Sequence, residues 1–447
     1  MKIVVLGSTL YSSVTALLLA ETGHDVSWVL SSAQHNPLMS KDTLLNQRLK
    51  KVVESGALAL IARPDCASAQ NGTLPESIAI TALMPEILAN AEVILLGYHP
   101  SELALATLDL SLLPPAIAPR LMLNGSTFGL HGTEKLRTLR AETTTVELMP
   151  EGLETWVYFP DVIQEGNAVN SFVYAKEVIV GVENDHARMM MREILRPFFP
   201  RDNQYLFMPI LDAEFAKLSI SGMLATRISY MNDLARVAET LGVDIINVKQ
   251  GLGADSRIGA SYLSPGVGFG GENFSHDILT LTEEVTKSGA KSHLLSQVWA
   301  INESQKELLF RKLWCHFETH LAGKVIGIWG ASFKENTPSV HNSPIHNMLQ
   351  ALWAQGAIVQ LHDPEALGEI ARVYGEREDL ILCDSRYAAT KNADALCVLT
   401  AWREYFSPDY ARLKTEMKEA LILDGRNIYD PEYVKAQGFS YEGVGRA

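Results

Sequence analysis

Short unbroken apolar runs separated by helical spacings fill the first third of the chain. "KIVVLG" occupies 2–7, and "DVSWVL", "AEVILLG" and "RLMLNGS" follow at 25–30, 91–97 and 120–126. Runs of this kind, without polar alternation, are strands buried on both faces of a parallel sheet crossed by helices. "EVIVGV" at 177–182 continues the rhythm and is expected to extend that sheet. From about Asp212 to Leu241 only Gly222 interrupts a helical pattern, and Gly242 is placed to cap it. This predicts one helix of about 30 residues and about 45 Å. The strand rhythm restarts near Gly323 with "KVIGIWG", "AIVQLHD", "ALCVLT" and "ALILDG". The expected fold is α/β, with two Rossmann-like doubly wound domains joined by a long central helix. The expected division is 1–208 for the N-terminal Rossmann-like domain, 209–318 for a helical middle and 319–447 for the C-terminal Rossmann-like domain.

Composition narrows the possible roles. The 447 residues carry 38 Lys and Arg against 52 Asp and Glu, a formal net charge of −14. No basic run stands out, so nucleic acid is not an expected partner. No apolar stretch reaches the roughly 18 residues of a membrane span. The N-terminal apolar run is broken by Gly7, Ser8 and Thr9 and reads as strand, turn and helix, not as a leader. Cys66, Cys315, Cys383 and Cys397 are scattered without a CxxC pair. They fit a reducing cytoplasm and offer no metal framework.

A glycine-rich turn between a first strand and a helix is where a dinucleotide pyrophosphate would sit. Here that turn reads Gly7-Ser8-Thr9-Leu10-Tyr11-Ser12. Gly7 keeps the tight turn, but Thr9 puts a branched Cβ where G-x-G-x-x-G has a bare backbone. Ser12 is small enough to preserve packing of helix on strand. The second strand ends at Leu30, where a carboxylate would hold the ribose hydroxyls. NAD is therefore expected to bind weakly or not at all.

A denser glycine loop, "GVGFGGENFSHD", spans 266–277. Together with other segments it resembles the UDP-glucose/GDP-mannose 6-dehydrogenase family. "STFGLHGT" (126–133) is similar to STVPxGT, and "FPDVIQEGNAV" (159–169) to NPEFLREGxAI. "AEFAKLSISGMLATRISYMNDLA" (213–235) is similar to AExxKxxxNxxLAxKISFxNExA. "DSRIGASYLSPGVGFGGENFSHD" (255–277) resembles DxRIGxxFLxPGxGFGGSCFPKD, and "GASFKENTPSVHNSP" (330–344) resembles GLAFKxxTDDxRxSP. These five segments in order, with a sixth match in the closing "ILDGRNIYD" and "YEGVGR", are specific for fold and ancestry but not for activity.

The resemblance implies oxidation of a sugar C6 alcohol to a carboxylate with two NAD and a cysteine thioester. It implies a cofactor-binding first domain, a homodimer built on the helical middle, and a UDP-sugar-binding last domain. Catalytic places fall on Thr127, Asp161, Lys217 and Asp277, with Asn273 at the position of the nucleophile. Cofactor places fall on Gly7, Thr9, Leu10, Leu30 and His99. Substrate places fall on Glu165, Ser221, Arg257, Phe269, Gly270 and Lys334. Asn273 replaces the cysteine, Ser221 an asparagine, His276 a lysine, His99 a threonine and His341 an arginine. An amide cannot form or release a thioester, so the second oxidation is expected to be blocked. Glu214, Lys217 and Ser221 still share a helix face. Three readings follow: a nucleotide-sugar-binding or regulatory relative without uronate-forming activity; an NAD-dependent enzyme that stops at the aldehyde or uses another route, with Lys217 or His276 as acid–base group; and full 6-dehydrogenase activity with a displaced cysteine. Local roles are also open to these residues. Glu165 could cap a turn, and Asp277 could cap a helix starting near Ile278.

Overall fold

The computed structural model describes residues 1–30, 43–62, 80–82, 85–143, 152–290 and 293–446. Cys66 lies outside the described residues. The chain forms two compact units, Met1–Ser219 and Ile220–Ala447. The division falls within one continuous helix, Ile210–Leu241.

The first unit holds strands β1 (Lys2–Leu6), β2 (Asp25–Leu30), β3 (Leu58–Ala62), β4 (Ile80–Ala82), β5 (Val93–Leu96), β6 (Arg120–Asn124), β7 (Glu154–Tyr158), β8 (Val178–Val182) and β9 (Tyr205–Met208). Their order in one sheet is β4-β3-β2-β1-β5-β6-β7-β8-β9. Strand order reverses between β1 and β5, the switch point of a doubly wound fold. Successive β1 residues enter different cores, Ile3 and Val5 on one face and Val4 and Leu6 on the other. That is why the strand reads as unbroken hydrophobe.

One expectation is corrected here. β8, read as a continuation of the parallel sheet, pairs antiparallel with β7. The segment joining them carries only the short helix Ala168–Val173. The chain turns back where a parallel neighbour would need a full crossover.

At the amino ends of β6 and β7, Arg120 and Arg140 enclose Glu154, whose Oε1 lies 3.5 and 3.0 Å from their guanidinium nitrogens. All three side chains are buried, and carbonyls of Leu88, Leu110, Leu113 and Pro114 take further guanidinium hydrogens.

In the second unit, β10 (Val325–Trp329), β11 (Ile358–His362), β12 (Leu380–Leu382), β13 (Ala395–Val398), β14 (Leu421–Asp424) and β15 (Ser440–Glu442) form a parallel sheet. The order is β12-β11-β10-β13-β14-β15, with its switch between β10 and β13. The rest of the long helix packs in this unit with helices Glu272–Lys287 and Leu294–Lys306. Gly222 does not break the long helix. A Cβ there would come within 3.2 and 3.3 Å of the Leu281 and Leu295 side chains, so its absence admits two crossing helices. Gly242 ends the helix at φ +66°, as expected. Among the described residues no helix is long and apolar enough to cross a membrane.

Candidate functional site

In the first unit the candidate residues follow the carboxyl ends of adjacent strands. Gly7, after β1, has φ +100°, and a Cβ on it would fall 2.1 Å from the Gly97 carbonyl oxygen after β5. The turn and β5 therefore touch backbone to backbone. Thr9 caps the helix Leu10–Glu21, its hydroxyl oxygen accepting from Ser12 N at 3.2 Å. The same hydroxyl donates to the Gly97 carbonyl at 3.1 Å, and Ser12 Oγ donates to it at 2.9 Å. Leu10 packs against the core that contains buried Leu30. Neither offers a group for a ribose hydroxyl. His99 caps a short 3₁₀ turn, its Nδ1 taking Ser101 N at 3.3 Å while Glu102 accepts from His99 N at 2.8 Å.

A buried relay runs from β6 to the start of the long helix. Ser126 N donates to Asn124 Oδ1, and Asn124 Nδ2 to Thr133 Oγ1, each at 2.9 Å. Thr133 N then donates to Glu214 Oε1 at 2.8 Å. Glu214 thus satisfies the amino end of the helix Gly132–Thr143. Burial pushes its carboxyl above the ordinary range, opposed by bonds from Thr133 and His131. Thr127 follows this relay and is buried, its N–H on the Tyr98 carbonyl at 3.4 Å. Asp161, half-buried after β7, closes a tight turn by accepting from Ile163 N at 3.0 Å. Glu165 is half-buried, and Lys217, one turn beyond Glu214, is buried with 5% of its surface exposed.

In the second unit the glycine loop is packed inside the protein. Phe269 N donates to Asn302 Oδ1 at 2.7 Å, and Asn302 Nδ2 returns a bond to the Phe269 carbonyl at 3.1 Å. Gly266 is pinned by Asn232 and Gln305 at 2.9 and 2.8 Å. A Cβ on Gly270 would lie 2.6 Å from the Asn342 carbonyl oxygen. Gly271, at φ +95°, lies against the Phe333 ring. The glycines are therefore required by protein packing before any ligand is considered.

The helix Glu272–Lys287 leaves this loop with Asn273 as its second residue, exposed. Asp277 lies within that helix, so its expected role as a cap for a helix starting near Ile278 is corrected: the helix begins at Glu272, with Gly271 at its N-cap. Ser221 Oγ donates to Asp277 Oδ2 at 2.7 Å, both groups buried. The bond joins two of the sequence-selected site residues of this unit directly. His276 Nε2 lies 3.2 Å from Thr280 Oγ1 on its own helix. Arg257 is highly exposed and bidentate on Asp255, at 3.0 and 2.7 Å. Lys334 is half-buried, with Nζ 5.7 Å from the Phe333 ring centre.

Asn232, Asn302, Gln305 and Asn342 were not selected from the sequence, although polar residues inside apolar helical spacing at 302 and 305 were the available signal. Among the described residues no cluster could hold a metal ion.

A doubly wound sheet, parallel except for the β7–β8 pairing in the first unit, with a positive-φ glycine after the strand at its switch point in each unit (Gly7 after β1 and Gly330 after β10, both at φ +100°), defines a two-domain protein of the nucleotide-binding dehydrogenase type. Two family models match: the UDP-glucose/GDP-mannose dehydrogenase family central domain over residues 211–304 and its UDP binding domain over 327–431. UDP-glucose 6-dehydrogenase of Rhizobium meliloti is 32% identical over 302 residues, 67% of this chain and 68% of that protein. The chain belongs to the UDP-glucose/GDP-mannose dehydrogenase family. UDP-glucose 6-dehydrogenase of Pseudomonas aeruginosa is 37% identical over 290 residues, 64% of each chain. The match thus spans slightly under two thirds of that relative's length. The solved UDP-glucose dehydrogenase of Pyrobaculum islandicum shares the fold, with TM-score 0.82 and 23% identity over 100% of this chain and 98% of that one.

Proposed function

We propose that this chain binds a nucleotide sugar, a UDP- or GDP-hexose, and does not oxidise it to a uronic acid. Its role is binding or regulation within the family. Asn273 carries this reading: it stands where the resembling family places its nucleophilic cysteine, and an amide supplies neither the attack nor the leaving group. Thr127, Asp161, Glu165, Lys217, Ser221, Asp277, Phe269, Gly270, Arg257 and Lys334 are assigned to the sugar-nucleotide site by the same resemblance. NAD binds weakly or not at all in this reading. Thr9 fills the bare-backbone place of the turn with a capping hydroxyl, and Leu30 leaves ribose hydroxyls without a partner. Where NAD is bound, it would supply a hydride acceptor.

A division at 1–208, 209–318 and 319–447 is part of the proposal, as is a cytoplasmic setting, supported by free Cys315, Cys383 and Cys397. So is a homodimer. Ile220, Met223, Tyr230, Val237 and Leu241 stay exposed along one helix at intervals built from threes and fours. That is the spacing of a helix seam wanting a partner. A second reading, an NAD-dependent enzyme with a non-standard route, draws support from buried Lys217 and from the Ser221–Asp277 pair.

Calorimetric titration of UDP-glucose, GDP-mannose and NAD into the full chain tests the proposal. Saturable binding of a nucleotide sugar without micromolar NAD binding is expected. No binding of any nucleotide sugar would overturn it. Asn273→Cys is expected not to restore turnover, because Thr9, Leu30 and Ser221 remain.

A further inference from the structure

Open α/β sheets take ligands outside the carboxyl ends of their strands, at the switch point, and a dinucleotide lays one mononucleotide on each half of the sheet. In the first unit the halves are β3-β2-β1 and β5-β6-β7. Leu30 concerns the first half. The second half has its own occupant. Tyr11, second residue of the helix Leu10–Glu21, is 1% exposed. A Cβ built on Gly125, just past β6, would lie 2.0 to 2.5 Å from the ring carbons and hydroxyl of Tyr11. The phenol end of the ring therefore occupies the space a side chain at Gly125 would take. A Cβ on Gly97, just past β5, would lie 3.2 Å from Tyr11 Cδ1 and 2.2 Å from Ser12 Oγ. Tyr11 Oη donates to the Phe159 carbonyl, just past β7, at 3.0 Å.

One side chain thus spans the carboxyl ends of β5, β6 and β7, and the two glycines at 97 and 125 are the spaces that admit it. Thr9 and Ser12 close the turn over the same strand end through the Gly97 carbonyl. Packing against Phe159, with ring centres 6.2 Å apart, holds the ring in place. The phenol is kept neutral by burial, so it remains a donor.

We propose that Tyr11, seated by Gly97 and Gly125 and flanked by Thr9 and Ser12, occupies the second mononucleotide half of the N-terminal crevice and excludes the nicotinamide mononucleotide of a dinucleotide. This rests on the reading above that NAD binding is weak, and it names the residue responsible. It makes the exclusion a property of the folded protein, independent of the missing carboxylate at Leu30. Adenosine diphosphate ribose, which lacks the nicotinamide ring, is discriminated less than NAD.

The test is a fluorescence titration of NADH, with ADP-ribose as competitor, against the full chain and its variants. Tyr11→Val/Ser12→Gly vacates the space and is expected to tighten NADH at least tenfold. Tyr11→Phe keeps the ring and is expected to change affinity less than twofold. Circular dichroism checks folding; should the Tyr11→Val/Ser12→Gly chain not fold, Tyr11→Leu alone removes the ring that meets Gly125 and is expected to show a gain in the same direction. A folded opening variant that binds NADH no tighter than wild type would overturn the assignment, as would an equal gain in Tyr11→Phe. Micromolar NADH binding by wild type would instead overturn the weak-NAD reading. Nucleotide-sugar binding, titrated separately, would remain unaffected by either result.

Discussion

Replacing Gly7 by alanine separates two reasons for a glycine at the first turn: a ligand's approach and the protein's own packing. Gly7 has φ +100°, and an added Cβ would lie 2.1 Å from the Gly97 oxygen and 2.7 Å from its carbonyl carbon. Gly23, at φ +88°, would have nothing within 4 Å of the same atom. Both substitutions carry the backbone cost of positive φ, about 1–2 kcal/mol. Only Gly7→Ala drives a methyl into the backbone after β5, which cannot swing aside as a side-chain tip can. Overpacking adds about 1–3 kcal/mol. The expected losses are about 1–2 kcal/mol for Gly23→Ala and roughly 2–5 kcal/mol for Gly7→Ala. With about 2–4 °C per kcal/mol for a unit of this size, Tm falls by about 4 °C and about 10 °C. Urea and thermal melts followed by circular dichroism measure both, with and without millimolar NAD. The Gly7→Ala loss is expected to be the same in either condition, because the clash is internal. Equal losses for the two alanines, or a Gly7→Ala loss seen only with NAD present, would refute the reasoning.

Three further outcomes follow from buried groups. Glu154→Ala leaves Arg120 and Arg140 buried without their carboxylate and is expected to cost about 3–5 kcal/mol in urea unfolding; a loss under 1 kcal/mol would contradict the burial of this cluster. The folded-state pKa of Glu214 is raised above its ordinary 4.5 by burial, so the folded state binds that proton more tightly than the unfolded chain does. Wild type therefore gains stability relative to Glu214→Gln as pH falls through the raised value toward 4.5, and a stability difference that does not change as pH falls from 7 to 4.5 would contradict this. In a Cys66→Ser chain, thiol labelling under native conditions is expected to modify exposed Cys315 first. Burial pushes the Cys397 thiol up and seals it from reagent, so fast labelling of Cys397 would contradict the second unit's core.

Much of the fold was legible because strands buried on two faces leave unbroken apolar runs. "KIVVLG" and "KVIGIWG" read as strands and are β1 and β10. The direction of β8 was not legible, since apolar content says a strand is buried and not which way its neighbour runs. Short edge strands such as β4 and β12 have three residues each, too few for a period to show. The long helix was legible from spacing alone, including its end at Gly242. At the candidate site, motif order located the loops, but not what holds them. A glycine in the sequence says that a Cβ is unwelcome; only the structure names the neighbour, Asn342 for Gly270 and Tyr11 for Gly125. The Ser221–Asp277 bond joins residues 56 positions apart, a distance that helical spacing cannot reach. Tyr11 is not marked out by the sequence, because nothing in its neighbourhood along the chain points to the strand ends it covers.

The most direct test of the account is the product. The purified full chain is incubated with NAD and, separately, UDP-glucose and GDP-mannose, and the mixtures are assayed for NADH and by mass spectrometry for uronate. With Asn273 where a thiolate would have to attack, no nucleotide uronate is expected from either sugar. Formation of uronate by the wild-type chain would contradict the central claim outright.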